Sequence, residues 1–147
     1  MQDEVTSLYQ ELILDHNTNP RHFGPLPDAT AHAVGDNPLC GDHIEVQLRL
    51  SGNVIQKVHF SGQGCAIAKA SASMMTQAVR GQSPQQAQQL FNAFHALVKG
   101  EAVRSDVSLG KLDAFAGVGR FPMRVKCAIL AWHALRAALQ QQTGDEL

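Results

Sequence analysis

Apolar and polar residues alternate over two adjoining stretches in the first half of the chain. Between His43 and Leu50 every second residue is apolar. The apolar residues Val54, Val58 and Phe60 are likewise separated by even numbers of positions. A period of two is typical of strands with one buried face. These stretches predict two adjacent strands, and residues 29–34 are a candidate third.

The turn between the two strands can be deduced from the side chains that must face each other. A two-residue loop at 52–53 would place Leu48 opposite Lys57, whereas a three-residue loop at 52–54 places it opposite Val58. Cross-strand partners in a half-buried sheet share a face, so apolar residues should oppose one another. We therefore predict the three-residue loop, accompanied by a bulge.

The open end of this hairpin gathers chemically active side chains. The same register, continued away from the turn, brings Cys40 and Asp42 beside Cys65. Neighbouring strands lie only about 4.8 Å apart. We expect these three side chains to converge at one end of the hairpin.

Helical spacing of apolar residues marks four further stretches. The first covers residues 3–16 and ends before Pro20, which cannot continue a helix. The others cover 67–79, 83–97 and a last helix that begins at Pro122. The resulting class is α+β, with an antiparallel sheet covered by helices.

Length and composition place the chain among globular proteins of one domain. It has 147 residues, of which 44% are hydrophobic and 17% charged, which suits a single domain over residues 1–147. The formal charge of -1 offers no positive field for a nucleic acid or an anionic membrane. No apolar leader or membrane-spanning stretch is evident, so a cytoplasmic location is expected.

The chain has only three cysteines, and an odd number cannot all be paired, which argues against a disulfide framework. A single cysteine is often just a small buried apolar residue. Cys40 and Cys65, however, follow or precede glycines at the start of a strand and of a helix, and such tight turns favour a chemical role. Cys127 taken alone is compatible with either packing or chemistry.

Together the cysteines and one carboxylate form a possible metal-binding set. The N-terminus of a helix favours a thiolate at Cys65, and Asp42 projects to the same side of an extended segment as Cys40. With Cys127, the set suits a tetrahedral zinc ion, or an iron–sulfur cluster with one oxygen ligand. Taken alone, Asp42 would be read as a solvated turn carboxylate.

Two basic residues precede Cys127 closely in sequence. Zinc bound by four anionic ligands leaves a local charge of about -2. Arg124 and Lys126 are candidates to offset that charge next to the ligands, or to receive a partner. The alternative is that both simply belong to the solvated start of the last helix.

Other kinds of active site have weaker support. The glycines at 62–64 lack the third glycine and the acidic residue of a dinucleotide-binding loop. The seven histidines are dispersed, and we expect most of them at the surface. A nucleophilic enzyme with Cys40 activated by His43 or His59 stays open as an alternative.

Three separate segments resemble the signature segments of the IscU/SufU (NifU N-terminal-like) iron–sulfur cluster assembly family. They are Asn37-Pro38-Leu39-Cys40-Gly41-Asp42, Gly62-Gln63-Gly64-Cys65-Ala66-Ile67-Ala68-Lys69-Ala70-Ser71-Ala72-Ser73-Met74, and Arg124-Val125-Lys126-Cys127-Ala128 with Trp132. Lys126 stands where the IscU branch carries a histidine, and residues 109–118 resemble the extra segment of SufU. The chain is therefore identified as a relative closest to the SufU branch.

The resemblance implies a three-stranded antiparallel sheet covered by helices on one side, with helices at both termini. It also implies a metal site formed by Cys40, Asp42, Cys65 and Cys127, with zinc as the ion in SufU-like proteins. The implied partner is a pyridoxal-phosphate cysteine desulfurase of the SufS kind, whose persulfide sulfur passes to Cys40. Arg124 matches the family's basic residue near the site.

The leading functional hypothesis is a zinc-dependent sulfur acceptor that relays sulfur to downstream cluster assembly proteins. The second is a scaffold that assembles a transient iron–sulfur cluster on the same ligands, and the third is a protein with purely structural zinc. The missing histidine before Cys127 favours the first over the second. Whether the protein acts as a sulfurtransferase-like enzyme or as a non-enzymatic scaffold is left open by the sequence.

Overall fold

The computed structural model of the protein describes residues 2–104 and 106–144. The elements in chain order are α1 (Gln2–Thr18), β1 (Ala31–Asn37), β2 (Asp42–Ser51), β3 (Val54–Gln63), α2 (Ala66–Val79), α3 (Pro84–Lys99), a 3-10 segment (Gly110–Arg120) and α4 (Pro122–Gly144). The predicted α+β class and the terminal helices are confirmed. The candidate third strand is real, although it begins and ends later than 29–34.

The three strands form one antiparallel sheet in the order β1-β2-β3. The predicted apolar pairing is confirmed, since Leu48 lies opposite Val58. The predicted three-residue loop is wrong. Ser51 pairs with Val54 around a two-residue turn, because the register shifts between Arg49 and Leu50. The bulge lies inside the strands, so a two-residue turn and apolar pairing coexist.

Helices α2 and α4 pack on one face of the sheet, and the remaining helical elements pack on those two. Local sequence determines where several of them start. Ser83 caps α3 in a reciprocal capping box with Gln86, and Pro122 occupies the first turn of α4.

The largest fully buried side chains of the core between the sheet and the helices include Trp132, Phe60, Phe94, Phe115, Ile44 and Leu48. In the described part of the chain, no helix is both long and apolar enough to span a membrane.

Gly35 in β1 allows the backbone of α4 to approach the sheet closely. A Cβ at this position would lie 3.0 Å from the carbonyl oxygen of Leu130 and 3.1 Å from its side chain. We expect Gly35→Ala to lower the free energy of unfolding by about 1–3 kcal/mol, since the helix must move away. Urea denaturation measures the effect. Gly117→Ala is the matched control, because nothing lies within 4 Å of its added methyl group, and an equal loss there would contradict the prediction.

His16 is buried, unlike the surface position expected for most histidines. Its Nδ1 lies 2.7 Å from the hydroxyl of Ser73, and its side chain packs between α1 and α2. Burial, and then the nearby Arg21 cation, lowers the pKa of His16 below its usual value of 6.5.

This burial makes stability depend on pH. The unfolded chain binds a proton at His16 more readily than the folded chain does, so stability falls as the pH drops below about 6.5. We expect the urea midpoint to decrease from pH 7.5 to pH 5.5. His16→Gln should reduce that slope, and an unchanged slope in this variant would contradict the prediction.

Candidate metal centre

Four segments of the fold meet at the open end of the β2–β3 hairpin. The turn after β1 carries Cys40, the first residue of β2 is Asp42, the residue before α2 is Cys65, and α4 carries Cys127 near its beginning. The predicted convergence of Cys40, Asp42 and Cys65 is therefore found in the structure. The positions of the four side chains are fixed by the turn, the strand and the two helix starts.

A tight turn holds Cys40 at the surface. The carbonyl of Asn37 accepts the backbone N–H groups of Cys40, at 3.1 Å, and of Gly41, at 2.9 Å. Gly41 has a φ of 73°, a left-handed conformation that favours glycine. The thiol of Cys40 is exposed as a result, and the chain then re-enters the sheet at Asp42.

Asp42 is fully buried. Its Oδ1 accepts the backbone N–H of Cys65 at 2.9 Å. This burial rules out a solvated turn carboxylate. A buried carboxylate needs compensating partners, and besides this N–H group Asp42 has the weakly donating thiols of Cys65 and Cys127 as hydrogen-bond partners.

The two glycines before Cys65 make room for this contact. A Cβ at Gly64 would lie 3.3 Å from Oδ1 of Asp42, and a Cβ at Gly62 would overlap the carbonyl oxygen of His43. Gly62 also has a φ of 115°. The glycines that weakly suggest a nucleotide loop in the sequence therefore serve the close packing of β2, β3 and α2.

Cys65 caps helix α2, as the sequence predicts. Its Sγ accepts the N–H of Ala68 at 3.4 Å and lies 4.0 Å from Oδ2 of Asp42. The residue is exposed, so its thiol borders both the carboxylate and the solvent.

Cys127 completes the cluster from α4. It is buried, and its Sγ lies 3.7 Å from Sγ of Cys40. The donor atoms of Cys40, Asp42 and Cys127 all lie within 4.8 Å of one another, and Cys65 lies beside this group. Two thiolates bound tetrahedrally at about 2.3 Å from one zinc ion are separated by about 3.8 Å, so the observed spacing fits such an ion.

The electrostatics of the cluster also fit a cation. Burial raises the pKa of the Cys127 thiol strongly, and hydrogen bonds to Asp42, Cys65 and Cys40 raise it further. In the absence of a cation the thiol is therefore protonated. A dication among these groups would compensate both the buried carboxylate and the thiolates.

A cavity of about 580 Å³ opens onto the cluster. Its walls come from α1, α2 and the start of α4, and are lined by Gln10, Ile13, Leu14, Cys40, Cys65, Ala66, Ile67, Met123, Arg124 and Cys127. The two predicted basic residues differ in position. Arg124 lines the cavity, with its guanidinium 4.4 Å from the ring centre of Phe121, whereas Lys126 is exposed outside this lining.

Sequence reasoning missed the contribution of α1. Ile13 and Leu14 line the cavity although nothing near them in sequence suggests a site. The only signal was the helical spacing of apolar residues, which does not say what the helix covers.

The two histidines proposed as activators of Cys40 have other neighbours. Nδ1 of His43 lies 3.7 Å from Asp36, and the ring of His59 lies 5.9 Å from that of His22. Among the hydrogen bonds of the described residues, neither histidine is paired with Cys40. The cysteine–histidine nucleophile therefore gains no support from the structure.

Alkylation should distinguish the three thiols. In metal-free protein we expect iodoacetamide to modify the exposed Cys40 and Cys65 first, and the buried, protonated Cys127 much more slowly. Added zinc should protect all three, because a bound thiolate is not free to attack. Peptide mass spectrometry measures the rates, and rapid modification of Cys127 would contradict the described burial.

Comparison with known proteins supports the resemblance seen in the signature segments. The sequence model of the NifU-like N-terminal domain family matches residues 8–128 of this chain. The zinc-dependent sulfurtransferase SufU of Bacillus subtilis is 38% identical, with 95% of each chain covered. The iron–sulfur cluster assembly scaffold protein IscU of Streptococcus pyogenes is also 38% identical, covering 97% of this chain and 89% of its own.

A solved structure of similar sequence has the same fold. It is a candidate iron–sulfur cluster assembly scaffold protein for the SUF system of Fervidobacterium islandicum, with a TM-score of 0.84 and 32% identity, covering 90% of this chain and 97% of its own. The family match spans most of the chain, and the relatives match over nearly all of it. The chain thus belongs to the NifU-like N-terminal domain family of iron–sulfur cluster assembly proteins, which includes SufU and IscU.

Proposed function

We propose that the protein is a zinc-dependent sulfur acceptor. It takes persulfide sulfur from a pyridoxal-phosphate cysteine desulfurase onto Cys40 and relays it to downstream cluster assembly proteins. The observation that carries this proposal is the exposed thiol of Cys40, 3.7 Å from the buried thiol of Cys127 and close to the buried carboxylate of Asp42. We place the activity in the cytoplasm, where thiols stay reduced.

Cys40, Asp42, Cys65 and Cys127 are the proposed zinc ligands. When bound, zinc keeps the cysteine side chains as thiolates at neutral pH. The Bacillus subtilis relative is named for zinc dependence, which supports zinc as the ion here. Asp42 supplies a hard oxygen donor to a borderline-soft ion, which favours a site that can exchange a ligand.

The transfer itself is a thiol–disulfide type of exchange. The thiolate of Cys40 attacks the terminal sulfur of the desulfurase's cysteine persulfide. The donor's sulfur–sulfur bond breaks, its electron pair leaves with the donor cysteine as a thiolate, and a new sulfur–sulfur bond forms on Cys40. One such bond forms for each that breaks, so no external oxidant or reductant is required.

The rim of the cavity suits a protein partner. Leu39 is 74% exposed and Leu14 is 57% exposed, and Met123 and Phe121 are also exposed near the start of α4. Apolar side chains around a site are typical of a protein-binding surface. Arg124 adds one positive charge to this rim and is the residue we assign to steering or retaining the desulfurase.

The cavity argues against zinc with a purely structural role. Structural zinc sites are closed, with all ligands withdrawn from solvent. Here Cys40 and Cys65 are exposed and border a cavity of about 580 Å³. A partner molecule therefore has access to the donor atoms.

A scaffold for an iron–sulfur cluster is the second candidate. The donor set favours it as well, because thiolates are the usual ligands of such clusters. The Streptococcus pyogenes relative is named as a scaffold. Lys126 offers no imidazole ligand beside Cys127, which is why we rank this function second.

A desulfurase assay combined with metal analysis tests the proposal. We expect about one zinc ion per purified chain, since sites of this kind bind zinc by roughly 10 kcal/mol or more. Under anaerobic reductant, the protein should increase the turnover of its desulfurase. Absence of zinc together with absence of stimulation would overturn the proposal.

A further inference from the structure

A buried serine connects the two helices that carry cysteines of the site. The hydroxyl of Ser71, on α2, donates to the carbonyl oxygen of Ala128 on α4 at 2.5 Å. The hydroxyl oxygen of Ser71 in turn accepts the indole N–H of Trp132 at 3.2 Å. Ser71 and Trp132 are both fully buried, so solvent does not replace either bond.

In these two bonds the Ser71 hydroxyl acts once as a donor and once as an acceptor. A serine has one O–H donor, and Ser71 donates it to the carbonyl of Ala128 in α4. This bond is additional to the ordinary hydrogen bonding of the helix. Loss of the hydroxyl would leave the indole N–H of Trp132 buried without a partner, which is costly. The contact therefore favours one position of α4 relative to α2.

That position determines where Cys127 lies. Ala128 directly follows Cys127, while α2, the helix of Ser71, begins next to Cys65. The far side of Trp132 is held too, since its ring stacks on Phe94 of α3 with centres 4.8 Å apart. A shift of α4 would change the 3.7 Å separation between Cys127 and Cys40.

We propose that Ser71 is a positioning residue, which holds Cys127 at ligand distance from the other donors. This inference rests on the metal site of the proposed function. Among the hydrogen bonds of the described residues, none joins Ser71 to a donor atom of the cluster, so Ser71 acts through the backbone next to Cys127. Groups that hydrogen-bond directly to metal ligands commonly change metal affinity by about 10–100-fold when they are removed. Ser71 acts one residue further from the ligand, so we expect an effect at the lower end of this range.

Cobalt binding provides the first test, because Co²⁺ reports both affinity and ligand geometry through its absorption. Ser71→Ala should weaken Co²⁺ binding by about tenfold or more. The thiolate-to-cobalt absorption should also weaken, as Cys127 moves away from the ion. A purely structural role would lower stability without changing this spectrum.

Ser73→Ala is the matched control. Ser73 is equally buried on the same helix, but its hydroxyl faces His16 and the backbone N–H of Arg21. We expect this variant to be less stable while retaining the cobalt affinity and spectrum of the unmodified protein. Trp132→Phe removes the indole N–H together with part of the buried ring that stacks on Phe94, so it should lower stability as well as change the cobalt spectrum in the same direction as Ser71→Ala.

Alkylation of the metal-free variants gives a second readout. Ser71→Ala should expose Cys127 to iodoacetamide faster than Ser73→Ala does. Identical cobalt spectra and identical Cys127 alkylation in the two variants would overturn the inference. If the unmodified protein binds no cobalt, the proposed metal site fails, and the alkylation rates still decide whether Ser71 positions Cys127.

Discussion

Cys40→Ala should abolish the stimulation of a cysteine desulfurase by this protein. The variant lacks the sulfur atom that we propose as the persulfide acceptor, and Cys65, the other exposed thiol among the described residues, lies at the start of α2 instead of in the β1–β2 turn. Turnover of the desulfurase, measured anaerobically with reductant, should fall to the rate of the desulfurase alone. Because transfer depends on the nucleophile, the expected loss is complete.

His43→Ala is the control for that experiment. The imidazole lies near Asp36 and outside the proposed ligand set, so stimulation should be retained. Loss of stimulation in this variant would instead favour a cysteine–histidine mechanism. Full stimulation by Cys40→Ala, together with a stable cluster formed on the unmodified protein from iron and sulfide, would contradict the relay and support the scaffold.

Cys127→Ser should lose most of its bound zinc and melt at a lower temperature. The hydroxyl of serine is a poor substitute for a thiolate, and Cys127 is the proposed ligand that would tie α4 to the hairpin. Ligand binding stabilises the folded state by mass action, so losing tight zinc binding removes several kcal/mol. For a chain of this size each kcal/mol shifts the melting temperature by roughly 2–4 °C.

Elemental analysis and calorimetry measure these two effects. Unmodified protein stripped of metal is the control, and it should melt near the temperature of the variant if zinc is the cause. Retention of both zinc and melting temperature in Cys127→Ser would remove Cys127 from the ligand set. A lower melting temperature with zinc retained would show that the thiol contributes only to packing.

Local patterns in the sequence were sufficient for most secondary structure. Strict alternation over His43 to Leu50 identified β2, because a half-buried strand has a period of two. Ser83 and Pro122 marked helix starts that the structure retains, because capping and the fixed φ of proline act within a single turn. The apolar partner of Leu48 was also predictable from faces alone.

The turn shows where such reasoning fails. The extra residue of the hairpin lies at the bulge near Arg49 and Leu50 and not in the loop. Both arrangements pair Leu48 with Val58 and Val46 with Phe60, and they differ only next to the turn, where Leu50 faces Ile55 in the structure and Gln56 in the predicted register. The choice depends on how the strands twist and on what packs against them.

The sequence by itself was enough to single out the proposed donors of the candidate site, because Cys40, Asp42, Cys65 and Cys127 stand in three separate motifs with recognisable spacing. It also placed three of them at one end of the hairpin through strand register. The tertiary structure alone decided that Asp42 is buried, that Arg124 rather than Lys126 lines the cavity, and that α1 covers one side of it. Those features depend on contacts between residues far apart in the chain, such as Ser71 with Ala128, and no local pattern encodes the distance at which two helices settle.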